Sequence, residues 1–137
     1  MTTDDQWRAV QAYVGRAYVP GVYDCAHLAV DVQREVFGRS VQLPGQHRQG
    51  RAGQVAQIRA CRDTLAQRID APEQGCAVLL TGTTDSGHPV WHIGTVVFFK
   101  GEPWALHNSA HQGSAWLVRL GGFAAQGLKI EGYYRWT

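Results

Sequence analysis

The stretch Tyr23-Asp24-Cys25-Ala26-His27-Leu28 decides how the rest of the chain is read. Aspartate is a strong helix N-cap, because its carboxylate accepts hydrogen bonds from first-turn N–H groups that have no partner within the helix. With Asp24 in that role, Cys25 is the first helical residue. Leu28, Val32 and Val36 then recur every fourth position, and Gly38 ends the helix. A thiol at a helix start lies in the positive end of the helix dipole and ionises more readily than a free one. Such a thiolate becomes chemistry only if the chain also supplies a base, a group to orient the base, and a groove.

Toward the N-terminus, Thr3 and Gln6 fit a capping box, and Trp7, Val10 and Val14 follow at helical spacing with Gly15 as a stop. This predicts a first helix over roughly residues 4–14. Arg16 to Val22, with Pro20-Gly21, reads as loop. Toward the C-terminus, Gln42 to Gly53 is a polar connection. Val55, Ile58, Cys61, Leu65 and Ile69 mark a third helix, closed by Pro72 and long enough to count as an expansion. After Pro72 the period changes. Cys76 to Leu80, Ile93 to Phe99, Trp104 to His107, Trp116 to Leu120 and Lys129 to Trp136 are strand candidates separated by turn-rich segments, including Thr81 to Pro89 and Gly121-Gly122. Helices first and strands afterwards predict an α+β domain, with N-terminal helices packed on a C-terminal antiparallel sheet.

The totals suit that picture. A chain of 137 residues with 45% apolar and 18% charged side chains makes one globular domain, residues 1–137, with no repeat or linker. A net charge of +2 without a block of like charges disfavours nucleic acid as the ligand. No apolar run approaches the ~18 residues of a membrane span. Met1 to Asp5 is polar and acidic, unlike a signal peptide, so a cytoplasmic origin is expected. Three cysteines, none in a C-x-x-C pair, argue against both a disulfide framework and a zinc knot. Cys61 and Cys76 fall on apolar faces and read as core.

Six histidines compete to be the base for Cys25. His27 lies on the same helix but points elsewhere. His47 and His88 sit in polar loops. His92 opens the strongest strand, and Gly94, two residues on and on the same face, leaves room beside it for an extended peptide. If Lys100-Gly101 is a two-residue turn, Phe99 faces Glu102 and His107 faces Gly94, diagonal to His92. If the loop is instead Lys100 to Pro103, His92 faces His111. The first register suits Gly101, whereas Pro103 is awkward in any strand but an edge. The spacing of four in His88/His92 and His107/His111 would chelate zinc on a helix. On a strand it spans roughly 13 Å, so neither a metal nor another cofactor is expected. Tyr18 stands out in the loop before Cys25, where its phenol could reach a reacting carbonyl.

These pieces, in this order, resemble the NlpC/P60 family of cysteine peptidases, in particular the short members associated with phage tail assembly. Arg16-Ala17-Tyr18 with Pro20-Gly21 resembles the family's tyrosine loop, and Tyr23-Asp24-Cys25 its nucleophile helix. Gln74 to Leu79 resembles the strand that usually opens with Gly-Asp, with Cys76 in place of the acid. Trp91-His92-Ile93-Gly94 resembles the base strand, and Ala105 to Ser109 the second-histidine strand. Ala26-His27 stands where many members have Ser-Gly, and the His92–His107 spacing is longer than usual.

The resemblance implies a papain-like fold in which Cys25 is the nucleophile, His92 the base and later acid, and His107 the orienting group. Tyr18 assists near the oxyanion, His111 is the rival third member, and Asp24 and Gly94 line the substrate groove. It further implies hydrolysis of amide bonds in peptidoglycan stem peptides at the bacterial wall. Phage tail proteins would be the partners, in a virion or tail. Two alternatives stay open: a non-catalytic tail-assembly component that keeps the fold, and a related thiol amidase or acyltransferase.

Overall fold

The first helix starts one residue earlier than its sequence suggests. In a computed structural model, which describes residues 1–20, 22–41, 66–83, 86–109 and 111–137, α1 spans Thr3–Gln11 with Thr2 as its N-cap. Thr2 Oγ1 accepts from Asp5 N–H at 3.1 Å, and Asp5 Oδ2 accepts from Thr2 N–H at 3.0 Å. The box therefore closes between Thr2 and Asp5 rather than Thr3 and Gln6. Gln6 is used elsewhere, accepting from Gln74 Nε2 at 2.8 Å. The second helix, α2, spans Cys25–Glu35 with Asp24 as N-cap, as expected. Gly38 takes a left-handed φ of 66° just beyond it.

Six strands follow: β1 (Ala66–Ile69), β2 (Ala77–Thr83), β3 (Pro89–Phe99), β4 (Glu102–Asn108), β5 (Ala115–Arg119) and β6 (Lys129–Trp136). Every pairing is antiparallel, in the order β1-β6-β2-β3-β4-β5. The domain is thus α+β, with small helices and a six-stranded antiparallel sheet. β1 corrects the third helix. Its last residues, Ala66–Ile69, are extended and pair with Trp136 through Tyr133. The ladder along β6 supplies their backbone partners, so tertiary pairing overrides the helical spacing of Leu65 and Ile69. The remainder of that helix, with Cys61, and the loop holding His47 lie outside the described residues. The expected loop from Thr81 to Pro89 is shorter, because β2 runs to Thr83 and β3 begins at Pro89.

The β3–β4 hairpin adopts the two-residue register: Phe99 faces Glu102, and Lys100 and Gly101 have φ of 51° and 79°. Positive φ at both central positions is the type I′ turn, whose twist matches that of paired strands. Pro103 fits although β4 is an internal strand. Phe98 N–H donates to Gln74 Oε1 at 2.7 Å, on the β2 side, so Phe98 and Pro103 form a non-hydrogen-bonded pair. Pro103 therefore removes no bond from the β3–β4 ladder.

Side chains alternate between the two faces of the sheet. One face carries Ala77, Leu79, Ile93, Val97, Leu106 and Tyr134, and packs against α1 and α2 through Val10, Cys25, Leu28, Ala29 and Val32. Trp7 of α1 stacks on Phe99 at 4.5 Å and meets Trp104 edge-on at 5.6 Å. The other face carries Val78, Leu80, Val96 and Ala105, and is covered by Phe123, Leu120 and Leu128 from the connection between β5 and β6. That connection includes two short 3-10 turns, Leu120–Gly122 and Ala124–Gln126. No helix among the described residues is long and apolar enough to cross a membrane.

Candidate functional site

Cys25 occupies the first position of α2 and is fully buried, clustered with Ala26, Ala29, Leu79, Ile93 and Trp136. Asp24 Oδ1 accepts from the N–H groups of Ala26 at 3.0 Å and His27 at 3.1 Å. Its other close neighbour is His27 Nδ1, at 2.8 Å. Asp24 is itself buried, so its carboxylate serves as the helix cap rather than lining a groove. His27 stacks against Tyr23 at 6.4 Å. It stands two residues from Cys25 in the same turn and is half-exposed where Cys25 is sealed in, so its imidazole points away from the thiol.

The loop before Cys25 is tied down at both ends. Tyr23 Oη donates to Asp31 Oδ2 at 3.1 Å and accepts from Arg16 at 3.1 Å, which braces the loop against α2. The Arg16 guanidinium also lies 4.2 Å over the Tyr13 ring. Tyr18 N–H donates to Gly113 O at 2.9 Å, and Ala17 bridges Ser114. The Tyr18 loop is thereby joined to the turn between β4 and β5. That turn contains His111, which is exposed and outside the strands.

The structure does bring His92 and His107 together. They lie on one face of β3 and β4, and the positive charge of His92 bears on His107. Burial, with that charge second, pushes the His107 imidazole down to about 4. Burial alone lowers His92. Both rings are neutral at pH 7. Gly94 seats His107: a Cβ at Gly94 would lie 3.2 Å from Val78 Cγ1 and 3.4 Å from His107 Cβ. The space beside Gly94 is therefore filled by packing and is not an open groove.

The structure does not bring Cys25 to this pair. Leu80, the β2 partner of His92, belongs to the cluster around Phe123, and the His107 ring meets Phe123 edge-on at 5.0 Å. Ile93, next to His92 and pointing the opposite way, belongs to the cluster around Cys25. The imidazoles and the thiol thus stand on opposite faces of the sheet, with β3 between them.

Asn108 is a buried polar side chain turned toward the helices. Its strand partner Ala115 packs with Leu28. Asn108 is 0% exposed, and neither Oδ1 nor Nδ2 has a hydrogen-bond partner among the described residues. Sequence reasoning passed over it, although it follows His107 directly, and alternation alone puts the two on opposite faces. Cys76 is core, as expected, and burial raises its thiol. Among the described residues no three His, Cys, Asp or Glu side chains converge as a metal-binding group. Comparisons with protein-family models, with curated proteins and with solved structures each find no match.

Proposed function

We propose that this chain is a thiol-dependent peptidase domain of the NlpC/P60 type, with a papain-like arrangement, directed at amide bonds of peptidoglycan stem peptides. One observation carries the reading: Cys25 is the first residue of a capped helix that packs on an antiparallel sheet whose β3–β4 hairpin bears His92 and His107. In the proposed reaction the Cys25 thiolate attacks the carbonyl carbon of the scissile amide. The backbone N–H of Cys25, at the start of α2, stabilises the oxyanion. His92 accepts the thiol proton and returns it to the leaving amine, and water then hydrolyses the thioester. His107 orients His92, and the Tyr18 phenol assists at the oxyanion. The step requires the His92 ring to reach the helix side of the sheet. The substrate class, and delivery to the wall within a tail assembly, rest on the resemblance of the motifs alone.

A second reading is favoured by a specific observation. Cys25 and His92 lie on opposite faces of the sheet, an arrangement that fits a non-catalytic assembly component of the same architecture. Defined muropeptides separate the two readings. Product masses showing a cleaved stem-peptide amide, lost in both Cys25→Ala and His92→Ala, support the peptidase. Turnover that survives in Cys25→Ala sinks the mechanism. No turnover, together with a Cys25 thiol that titrates near the free value of ~8.5, supports the assembly component.

A further inference from the structure

Asn108 weakens the fold at the place where it stands. Its carboxamide is fully buried, and neither Oδ1 nor Nδ2 has a hydrogen-bond partner among the described residues. Buried polar groups are paired in the great majority of cases, and one left unpaired keeps its full desolvation penalty. Leucine has nearly the same shape and would bury there without that penalty.

Register sets what lies around the carboxamide. β3 pairs with β4 at Thr95 and Leu106. The two strands stay side by side beyond that pair, since a Cβ on Gly94 would lie 3.4 Å from His107 Cβ. One step further, Ile93 and Asn108 are neighbours on the helix side. Leu79 stands beyond Ile93 on β2, and Ala115 beyond Asn108 on β5. The first turn of α2 crosses this row. The far end of the helix is anchored where Gln33 Nε2 donates to Gly75 O at 2.9 Å. From Gln33 back to Cys25 a helix rises about 12 Å, and from Gly75 to Leu79 a strand advances about 13 Å. Cys25 accordingly clusters with Leu79 and Ile93, while Leu28, one turn on, packs with Ala115. Asn108 lies between those two contacts, beneath the turn that begins with Cys25.

We infer that Asn108 is a substrate-binding residue of the Cys25 site, and that its carboxamide takes the backbone of an extended peptide. A carboxamide is uncharged and presents a donor beside an acceptor. In an extended chain the N–H and C=O of one residue point to the same side, so one residue satisfies both atoms. Nδ2 donates to its carbonyl oxygen, and Oδ1 accepts from its N–H. An ion would satisfy only one of the two, and the neighbours Leu28, Ile93 and Ala115 carry no charge to balance it. The inference rests on the peptidase reading for the identity of that residue, the one whose carbonyl carbon Cys25 attacks.

The test labels Cys25 in the full chain with two uncharged reagents. Iodoacetamide carries an amide and methyl methanethiosulfonate does not, and each rate is read by mass spectrometry of the peptide that contains Cys25. Cys25 is fully buried, so both reagents wait on the same local opening, and the ratio of their rates isolates what the amide contributes. In Asn108→Leu the iodoacetamide rate, relative to that of the other reagent, should fall about fivefold, while the melting temperature holds or rises. If Asn108→Leu does not fold, Asn108→Ala carries the same ratio. An unchanged ratio overturns the assignment. So does a lowered melting temperature in Asn108→Leu, which would give the carboxamide a partner within the fold. The labelling needs no turnover, so the two failures separate. Muropeptide cleavage with an unchanged ratio leaves the peptidase without this residue, and the fivefold fall without cleavage leaves the amide-binding residue and removes the peptidase.

Discussion

Asp24 and His107 show how single residues tie the site to stability. Asp24 satisfies two first-turn N–H groups of α2. Asp24→Ala should cost about 1 kcal/mol, and Asp24→Asn should retain most of that, as read from urea midpoints. His107 carries a pH dependence whose sign follows from its burial. Its folded value of about 4 lies below the ordinary 6.5, so between those values the unfolded chain binds more protons than the folded one. Stability then rises with pH through that window. The contribution of His107 is neutral above pH 6.5, and a penalty builds as pH falls toward 4, to a limit of about 3 kcal/mol. His92, lowered in the same direction, adds to it. Urea unfolding at a series of pH values from 7 to 4 should show this fall, and His107→Leu should flatten it. An unchanged slope in that variant would remove His107 as the cause.

Among the elements, the β3–β4 hairpin was the most legible. Lys100-Gly101 between two runs of apolar residues specifies a two-residue turn, and the turn sets the register that puts His107 diagonal to His92 on the face they share. Lys100 nevertheless pays for its left-handed φ of 51°, a conformation that disfavours a side chain with Cβ by roughly 1 kcal/mol and that asparagine tolerates better. Lys100→Asn should therefore stabilise the domain by up to about 1 kcal/mol, seen as a higher melting temperature. α2 was legible for a similar reason, since its cap and its stripe are both local. β1 was not. Nothing within Ala66–Ile69 distinguishes it from the end of a helix, because the partners of its backbone, Tyr133 through Trp136, lie more than sixty residues away. The bulge in β6 between its pairings with Leu79 and Leu80 is similarly hidden. There Glu131 accepts from Tyr134 Oη at 2.8 Å and from Arg68 at 3.1 Å, and so holds β1 to the sheet.

At the scale of the whole molecule, the sheet is buried on both faces and separates two polar groupings. Trp136 shows how the last strand closes the helix side. It packs beside Cys25 and pairs with Ala66 at the sheet edge. Trp136→Ala should cost about 3–5 kcal/mol and increase alkylation of Cys25, measured by mass spectrometry under native conditions. Cys76, on the other face, should stay unlabelled. Equal labelling of both cysteines would show that the two clusters open together.

What the sequence determined by itself was everything carried by neighbours along the chain. This covers the cap that makes Cys25 the first residue of α2, the turn that sets His107 diagonal to His92, and the change of period after Pro72 that makes the domain α+β. Only the tertiary structure decided which side of the sheet the helices cover. Alternation in a strand fixes which residues share a face, but it is blind to which face meets α2. With both faces of β3 apolar, the hydrophobic pattern does not choose. Packing chose Ile93 for Cys25 and left His92 and His107 together on the far side, with His107 against Phe123.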